Sequence, residues 1–306
     1  MRWSQYLAIV SALLTMLAAR EAAAEHTAPA SPAAVLVAVA PQYDSTHVYV
    51  TPADFDAFVS SVLATFGGSK SPQGVFQVTP TPSQTMWQLI STPVGTLSVF
   101  GFKTPIPYPF GLERTGYLVT DLDVAIRSAQ TLGADIIVKP YPDPIGRDAI
   151  IEWPGGVHMQ LYWHTKPPDY KPLETVPENR VYVSSGSVDT FVRDFVRFSD
   201  GTISVDESHA PGLEIGRSND TFRRVQIDSR FGKMVVFVTD GHLAFPYGRE
   251  TTGYEVQDLA VTLTRATAGG VSVLVPGYRV GRRHAAIVKF PGGYIAEIHD
   301  FQINQE

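Results

Sequence analysis

The sequence predicts an α+β fold of four βαβββ modules that pair into two tandem cup-shaped domains. The main observation is an internal repeat, because residues 109–164 align without a gap on residues 246–301 and 19 of the 56 positions are identical. A fixed-register repeat of this length indicates one supersecondary unit that is used more than once. A second match joins HVYVTPADFDAFV at residues 47–59 to RVYVSSGSVDTFV at residues 180–192, which adds two further copies.

The first module begins with a strand at residues 47–50. Apolar side chains at helical spacing then predict a helix over residues 53–66, and two glycines directly after it are a stop signal. Three further strands are predicted at residues 75–78, 86–90 and 96–102.

The second module repeats this order. Its elements are predicted at residues 115–119, 122–132, 135–138, 149–153 and 158–162. The third module starts at Arg180, and the fourth covers residues 252–299. One helix and a few strands cannot form a closed core alone, so paired modules are expected to form a cup with helices outside and a cavity inside. Three helix starts carry an aspartate that is expected to act as the N-cap. They are Asp54, Asp121 and Asp258.

The first residues are typical of an export signal. Arg2 supplies a positive charge, an apolar run extends from Tyr6 to Ala19, and small residues follow at positions 22–24. Cleavage is expected after Ala24, which predicts a periplasmic or secreted bacterial protein. The alternative is an uncleaved membrane anchor, although the apolar run is short for a spanning helix.

Composition divides the remainder of the chain into two domains and two linkers. The divisions are an Ala/Pro/Ser-rich linker at 25–43, a first domain at 44–165, a Pro-rich linker at 166–177 and a second domain at 178–303. The chain has no cysteine, which excludes disulfides and thiolate metal sites. A net charge of −6 without any basic run gives no sign of nucleic-acid binding. No membrane contact is expected after signal cleavage, and the oligomeric state is left open.

Several segments resemble the vicinal oxygen chelate superfamily, which includes glyoxalases, extradiol dioxygenases and bleomycin-resistance proteins. They are the strand-to-helix segments HVYVTPADFDAF, GYLVTDLDVAI and GYEVQDLAVTL and the turns PGGVHMQL and PGGYIAEI. The resemblance covers residues 45–302 and implies a glyoxalase-like fold for both domains. It does not fix an activity, because this fold hosts many chemistries.

Metal-using members of the superfamily place ligands in the first and last strands of their modules. The resemblance therefore implies His47, Gln160 and Glu297 as candidate metal ligands. The other equivalent positions hold neither histidine nor carboxylate. They are Val99, Arg114, Arg180, Val236 and Thr251. A catalytic metal normally has about three protein ligands, so the standard set is incomplete in both domains. No cofactor is predicted, and a divalent Fe, Mn, Ni or Zn ion stays open.

Strand alternation predicts which side chains enter each cup, because successive side chains point to opposite faces. The first cup is predicted to hold His47, Tyr49, His158, Gln160 and Tyr162. A histidine in such a place is a candidate acid, base or weak metal ligand. The alternative is a polar lining without a reaction.

The second cup is predicted to hold Arg180, Glu255, Glu297 and His299. Arg180 and Glu297 are expected to form a buried ion pair. Two alternatives remain: Arg180 binds a ligand carboxylate, or Glu255 and Glu297 share a metal ion.

Two glutamates and two tyrosines recur at equivalent positions of the repeat. Glu113 and Glu250 are interpreted as parts of a shared turn, with a ligand role as the alternative. Tyr117 and Tyr254 are expected to face the helices and to pack in the core.

The leading hypothesis is an exported glyoxalase-like protein that binds a small organic molecule in one or both cups without the standard metal set. The first alternative is a divalent-metal-dependent lyase, isomerase or extradiol-type dioxygenase. The second is a non-catalytic envelope interaction protein. Whether the protein is an enzyme stays open. A closed contact between Arg180 and Glu297 favours the leading hypothesis, three convergent ligands favour the metal enzyme, and filled cups favour the interaction protein.

Overall fold

The first module forms one half of a large sheet, with a single helix on one side. The computed structural model describes residues 36–302, so the predicted export signal at residues 1–24 and most of the first predicted linker lie outside the described residues. The elements are β1 (Ser45–Tyr49), α1 (Phe55–Phe66), β2 (Ser69–Lys70), β3 (Gly74–Phe76), β4 (Thr85–Thr92) and β5 (Gly95–Phe102). The edge is split into β2 and β3, which both pair with β4. Pro72 lies between them and has no N–H for the ladder.

The second module follows the predicted order closely. Its elements are β6 (Thr115–Leu118), α2 (Leu122–Thr131), β7 (Asp135–Asp143), β8 (Gly146–Trp153) and β9 (Val157–His164). The strand predicted at residues 135–138 continues to Asp143. Two shifts in its pairing with β8 interrupt the alternation of side chains, which is why the sequence pattern ends early.

The third and fourth modules repeat the arrangement. Their elements are β10 (Glu178–Val183), α3 (Val188–Ser199), β11 (Thr202–Pro211), β12 (Thr221–Ser229), β13 (Gly232–Val238), β14 (Thr251–Glu255), α4 (Leu259–Ala268), β15 (Ser272–Val280), β16 (Arg283–Lys289) and β17 (Ile295–Phe301). Among the helices that the structure describes, none is both long enough and apolar enough to cross a membrane.

The modules pair within each half of the chain. The first sheet has the order β2-β4-β5-β1-β6-β9-β8-β7, with β3 beside β4, and the second has the order β11-β12-β13-β10-β14-β17-β16-β15. A short antiparallel contact at the centre of each sheet joins its two modules, between β1 and β6 and between β10 and β14. The α+β fold of four paired βαβββ modules is thereby confirmed.

The helices lie outside their own cups, as expected, but they are buried between the two sheets. Phe58 of α1 packs edge-on against Phe290 of the fourth module, with ring centroids 5.9 Å apart. Phe198 of α3 packs against Trp153 of the second module at 5.2 Å. Each of the two main apolar cores contains residues of both halves. Each sheet therefore turns its helix-free face away from the other half.

Two of the three predicted N-caps are confirmed. The side chains of Asp121 and Asp258 accept hydrogen bonds from the backbone N–H groups of Val124 and Val261, each at 2.9 Å. Asp54 does not cap α1, because its backbone is already helical and its carboxylate accepts from Thr51 Oγ1 instead. An N-cap needs an extended backbone to bring its side chain to the free N–H groups.

Both segments that composition assigns to linkers are packed against the sheets where the structure describes them. Val37 and Ala38 are buried in a core, and Ala38 forms a β-bridge with Val119. In the second segment, the Glu174 N–H donates to the Pro93 carbonyl at 2.8 Å. Such contacts join the segments to the folded unit.

Candidate functional site

A cavity of about 180 Å³ lies on the helix-free face of the first sheet. Its walls are mostly aromatic and aliphatic, with a few polar groups. The lining residues are Ser45, His47, Tyr49, Phe76, Val78, Trp87, Leu89, Ser98, Phe100, Phe110, Asp143, Pro144, Ile145, Asp148, Gln160, Tyr162, His164 and Tyr170. An apolar cavity with a few convergent polar groups is the usual form of a small-molecule site.

Four of the five side chains predicted for the first cup line this cavity. They are His47, Tyr49, Gln160 and Tyr162. The prediction for His158 is corrected. His158 lies opposite Glu152 at the start of β9, and its Nε2 is 2.7 Å from Glu152 Oε2. Alternation predicted correctly that His158 lies on the cavity face of the sheet, but His158 is too close to the start of β9 to reach the cavity.

His47 lies in a buried cluster with Glu113 and Tyr49. His47 Nδ1 is 3.6 Å from Glu113 Oε1. The fully buried Glu113 also accepts hydrogen bonds from the Tyr49 hydroxyl and, at 3.1 Å, from the Gly111 N–H. Burial and then the charge of Glu113 raise the pKa of Tyr49 well above its usual value. Glu113 thus stabilises the turn that the sequence predicts, and it also faces two cavity residues.

The absence of a side chain at Gly116 leaves room for His47. A Cβ at this position would lie 2.4 Å from His47 Nε2 and 3.2 Å from Tyr162 Cε1. Gly116 is paired with Gln160 on β9. The imidazole therefore lies over β6, next to the strand β9 that carries Gln160 and Tyr162.

Asp148 is the cavity residue with the most unusual environment, and sequence reasoning missed it. It is 5% exposed, its Oδ2 accepts from Gln160 Nε2 at 2.8 Å, and its Oδ1 has no hydrogen-bond partner. Burial and then the charge of Asp143 raise the pKa of Asp148 well above its usual value. The alternation of side chains along β8 could have identified it. Ala149 and Ile151 pack in the core on one face of the sheet, so Asp148 lies on the opposite face, where the cavity is.

The second half holds a buried ionic cluster. Arg180 Nη1 lies 2.6 Å from Glu297 Oε2, so the predicted ion pair is present. Arg283, which sequence reasoning did not single out, donates to Glu178 Oε2 at 2.6 Å and also to Glu297. His299 Nδ1 lies 3.0 Å from Glu297 Oε1. We call these five residues the Arg180–Glu297 cluster.

The two arginines of this cluster neutralise its two buried carboxylates. Burial alone would raise the pKa of Glu178, but the Arg283 guanidinium brings it to about 2. Burial opposes ionisation of Glu297 too, and the charges of Arg180 and Arg283 hold its pKa well below the usual range. Both carboxylates are therefore ionised and paired.

Glu255 does not join Arg180, Glu297 and His299, which corrects the prediction for the second cup. Its Oε2 lies 3.1 Å from Lys233 Nζ, and its side chain is 27% exposed. The proposed pairing of Glu255 with Glu297 around a metal ion is therefore not formed. Glu178, 105 residues before Arg283 in the chain, occupies the place beside Glu297 instead.

The residues do not suit the divalent metal that the superfamily resemblance implies. Within residues 36–302, the one group of three converging His, Asp or Glu side chains is Glu178, Glu297 and His299. Arg283 already donates to both carboxylates and lies 3.0 Å from His299 Nδ1. A second positive charge would meet the guanidiniums of Arg180 and Arg283 at short range. The candidate ligands His47 and Gln160 lie in the other sheet and so cannot complete a site with Glu297.

No protein-family model matches the sequence, and no curated protein matches it. Solved structures do match the fold. A variant of 4-hydroxymandelate synthase from Streptomyces coelicolor is 12% identical, with a TM-score of 0.58 over 88% of this chain and 94% of that chain. A Mn(II)-bound glyoxalase from Novosphingobium aromaticivorans is 11% identical, with a TM-score of 0.54 over 87% and 83% of the two chains. Homoprotocatechuate 2,3-dioxygenase from Arthrobacter globiformis is 13% identical, with a TM-score of 0.54 over 89% and 82%.

These matches have low sequence identity and extend over most of both chains. They show that the four βαβββ modules and the two sheets of this chain have a known architecture. The resemblance inferred from the strand-to-helix segments and the PGG turns is confirmed at the level of fold. The chain has the vicinal oxygen chelate fold, with four modules in two halves.

Proposed function

We propose that the protein binds a small aromatic molecule in the cavity of the first sheet, and that this binding does not need a metal ion. The observation that carries the proposal is the lining of the cavity. Seven of the eighteen lining residues are Phe, Tyr or Trp, and the polar groups of His47, Asp148 and Gln160 converge on the cavity. Such walls bind an organic ring through burial of apolar surface, while the polar groups select its orientation.

Two parallel rings support the cavity wall and offer a matched comparison with the other half. Phe100 stacks on Tyr49 with ring centroids 5.2 Å apart. The equivalent pair in the second half is Phe237 on Tyr182, at 5.1 Å. Phe100 lines the cavity, whereas Phe237 lies beside Arg180 of the ionic cluster.

A metal-dependent lyase, isomerase or extradiol-type dioxygenase is the second candidate. The specific observation in its favour is the convergence of Glu178, Glu297 and His299. The two guanidiniums in the same cluster count against it, because a divalent ion would have to displace a paired buried charge. An interaction protein with filled cups is less well supported, since the first cup contains a cavity of about 180 Å³.

The test is a titration of chelator-treated protein with phenol and benzyl alcohol, followed by Trp87 fluorescence and by calorimetry. Trp87 lines the cavity, so ligand entry should change its emission, and Trp87→Phe should remove that change. Phe100→Leu should weaken binding about tenfold, the loss expected for a ring contact worth roughly 1.4 kcal/mol. Phe237→Leu is the matched control and should leave affinity unchanged.

Two outcomes would contradict the proposal. One is the absence of saturable binding by either compound. The other is binding that depends on added Mn²⁺ or Fe²⁺ and that is lost in His299→Ala but kept in Phe100→Leu, which would support the metal enzyme.

We also propose that the protein is exported, on the charged, apolar and small-residue pattern of residues 1–24. The check is the mass of the mature protein from fractionated cells. A periplasmic or secreted form that begins near Glu25 agrees with the proposal, and full-length protein confined to the cytoplasm contradicts it.

A further inference from the structure

The cavity of the first sheet is lined by acidic side chains, and its ligand is expected to carry the complementary charge. Of the described residues that line it, Asp143 and Asp148 are acidic, two are histidines, and none is Lys or Arg. Buried Glu113 lies directly behind His47 and Tyr49. A cavity lined by one sign of charge favours ligands of the opposite sign and disfavours those of the same sign.

Asp148 has one carboxyl oxygen, Oδ1, without a hydrogen-bond partner, while Gln160 donates to Oδ2 and the Tyr141 hydroxyl lies nearby. Asp148 is paired in register with Tyr162 of the neighbouring strand, so both side chains lie on the cavity face. Asp148 is only 5% exposed, so Oδ1 is also shielded from solvent. A buried carboxyl oxygen without a hydrogen-bond donor costs free energy, which an ammonium group of the ligand would offset.

The fold itself does not require a carboxyl group here. The position equivalent to Asp148 in the fourth module is Ala285, which is fully buried. The position equivalent to Asp143 is Val280. The same strand hairpin therefore forms without either acid, and the two acids are specific to the half of the molecule that contains the cavity.

The walls indicate an organic cation instead of a metal ion. Rings of Trp87, Phe100 and Tyr162 border the cavity, and the faces of such rings attract ammonium groups. The volume of about 180 Å³ far exceeds that of a bare ion. It is below the roughly 300–1,000 Å³ of sites for drug-sized ligands, so one ring with a short arm is the expected size.

We propose that the first cavity takes an aromatic amine in its cationic form, with the ring between the aromatic walls and the ammonium group at Asp148. This inference rests on the proposed function, because it assigns a ligand class to the same cavity. The ammonium group would donate to the free Asp148 Oδ1 and form an ion pair with the carboxylate.

The experiment compares benzylamine, benzyl alcohol and benzoate, which share a ring but carry a positive, a zero and a negative charge near pH 7. The full chain is titrated with each compound by calorimetry. Benzylamine should bind about tenfold more tightly than benzyl alcohol, the preference expected of combined ion-pair and cation–π contacts, and benzoate most weakly.

Asp148→Asn keeps the shape and one oxygen that can accept from Gln160 Nε2, but it removes the charge. It should reduce benzylamine affinity to within about twofold of benzyl alcohol affinity, because only the cation gains from a carboxylate. Asp189→Asn makes the same charge change at an 80% exposed side chain of α3 and should keep the preference intact.

The outcomes separate the two proposals. Equal affinity for benzylamine and benzyl alcohol, tighter binding of benzoate, or an unchanged preference in Asp148→Asn overturns the cation assignment and leaves the binding function standing. No binding of any of the three compounds overturns both.

Discussion

Gly116 makes the position of His47 possible, because any side chain there would occupy the space of the imidazole. Gly116→Ala places a Cβ 2.4 Å from His47 Nε2, so the imidazole must leave its position in the cavity wall. Ligand affinity should fall about tenfold, and the free energy of unfolding should fall by about 1–3 kcal/mol, the usual cost of overpacking.

Gly186→Ala is the matched control for this prediction. Nothing lies within 4 Å of a Cβ at Gly186, so both quantities should change little. Calorimetric titration and chemical unfolding measure the two effects. Unchanged ligand affinity in Gly116→Ala would contradict the position assigned to His47.

Arg283 neutralises two buried carboxylates at once. Arg283→Met should lower the free energy of unfolding by about 3–5 kcal/mol, because it leaves Glu178 and Glu297 with less compensation. Arg223→Met removes ion pairs with Asp189 and Asp206 at the surface and should cost about 1 kcal/mol or less. Urea denaturation of both variants gives the comparison, and equal costs would contradict the role assigned to the cluster.

At the scale of the helix, Asp121 and Asp258 are N-caps but Asp54 is not, although all three stand at the same position of the repeated sequence. Asp121→Ala removes a cap hydrogen bond to Val124 N, and it should cost about 1 kcal/mol. Asp54→Ala removes only the contact with Thr51, and it should cost clearly less. Thermal unfolding of the two variants measures the difference, and an equal or greater loss in Asp54→Ala would contradict it.

Local pattern predicts the elements well, because each strand and helix has its own apolar face. Alternation also predicted the faces of β1 and β9 correctly, since His47 and Gln160 both line the cavity. The ionic cluster was only partly predicted. Glu178 and Arg283 are 105 residues apart and meet only after the third and fourth modules share a sheet. Spacing within one strand contains no information about such a contact.

At the scale of the whole molecule, charged groups of the first half affect the pKa of Glu250 in the second half, and this group makes stability depend on pH. Burial, opposed by the charge of Arg114 and a hydrogen bond with Asn179, raises the pKa of Glu250 from 4.5 to about 8. The folded state therefore keeps a proton that the unfolded chain releases above pH 4.5. The stability from this group is fully present below pH 4.5 and declines as pH rises to about 8.

Glu250→Gln keeps a neutral side chain at every pH, so it should remove this part of the decline. The variant should gain stability over the native protein between pH 5 and pH 8, by at most about 5 kcal/mol, and the gain should level off above pH 8. The stability difference at each pH isolates Glu250 from the other titrating groups. A pH-independent difference would contradict the assignment.

The packing of helices between the two sheets was not predictable from the repeat. A repeated module specifies its own apolar face but not which other module covers it. Phe58 and Phe290, which meet across the two halves, each belong to a pattern that a surface helix or an edge turn would also show. The repeat therefore predicts the module, and the long-range contacts determine where the cups open.

The most direct test of the account is a crystal structure of the full chain grown with benzylamine and Mn²⁺, with anomalous data collected for manganese. We expect benzylamine density between Trp87 and Phe100, with its nitrogen at Asp148, and no anomalous peak at Glu178, Glu297 and His299. An anomalous peak at those three residues with Arg283 displaced, or a first cavity without the amine, would contradict it.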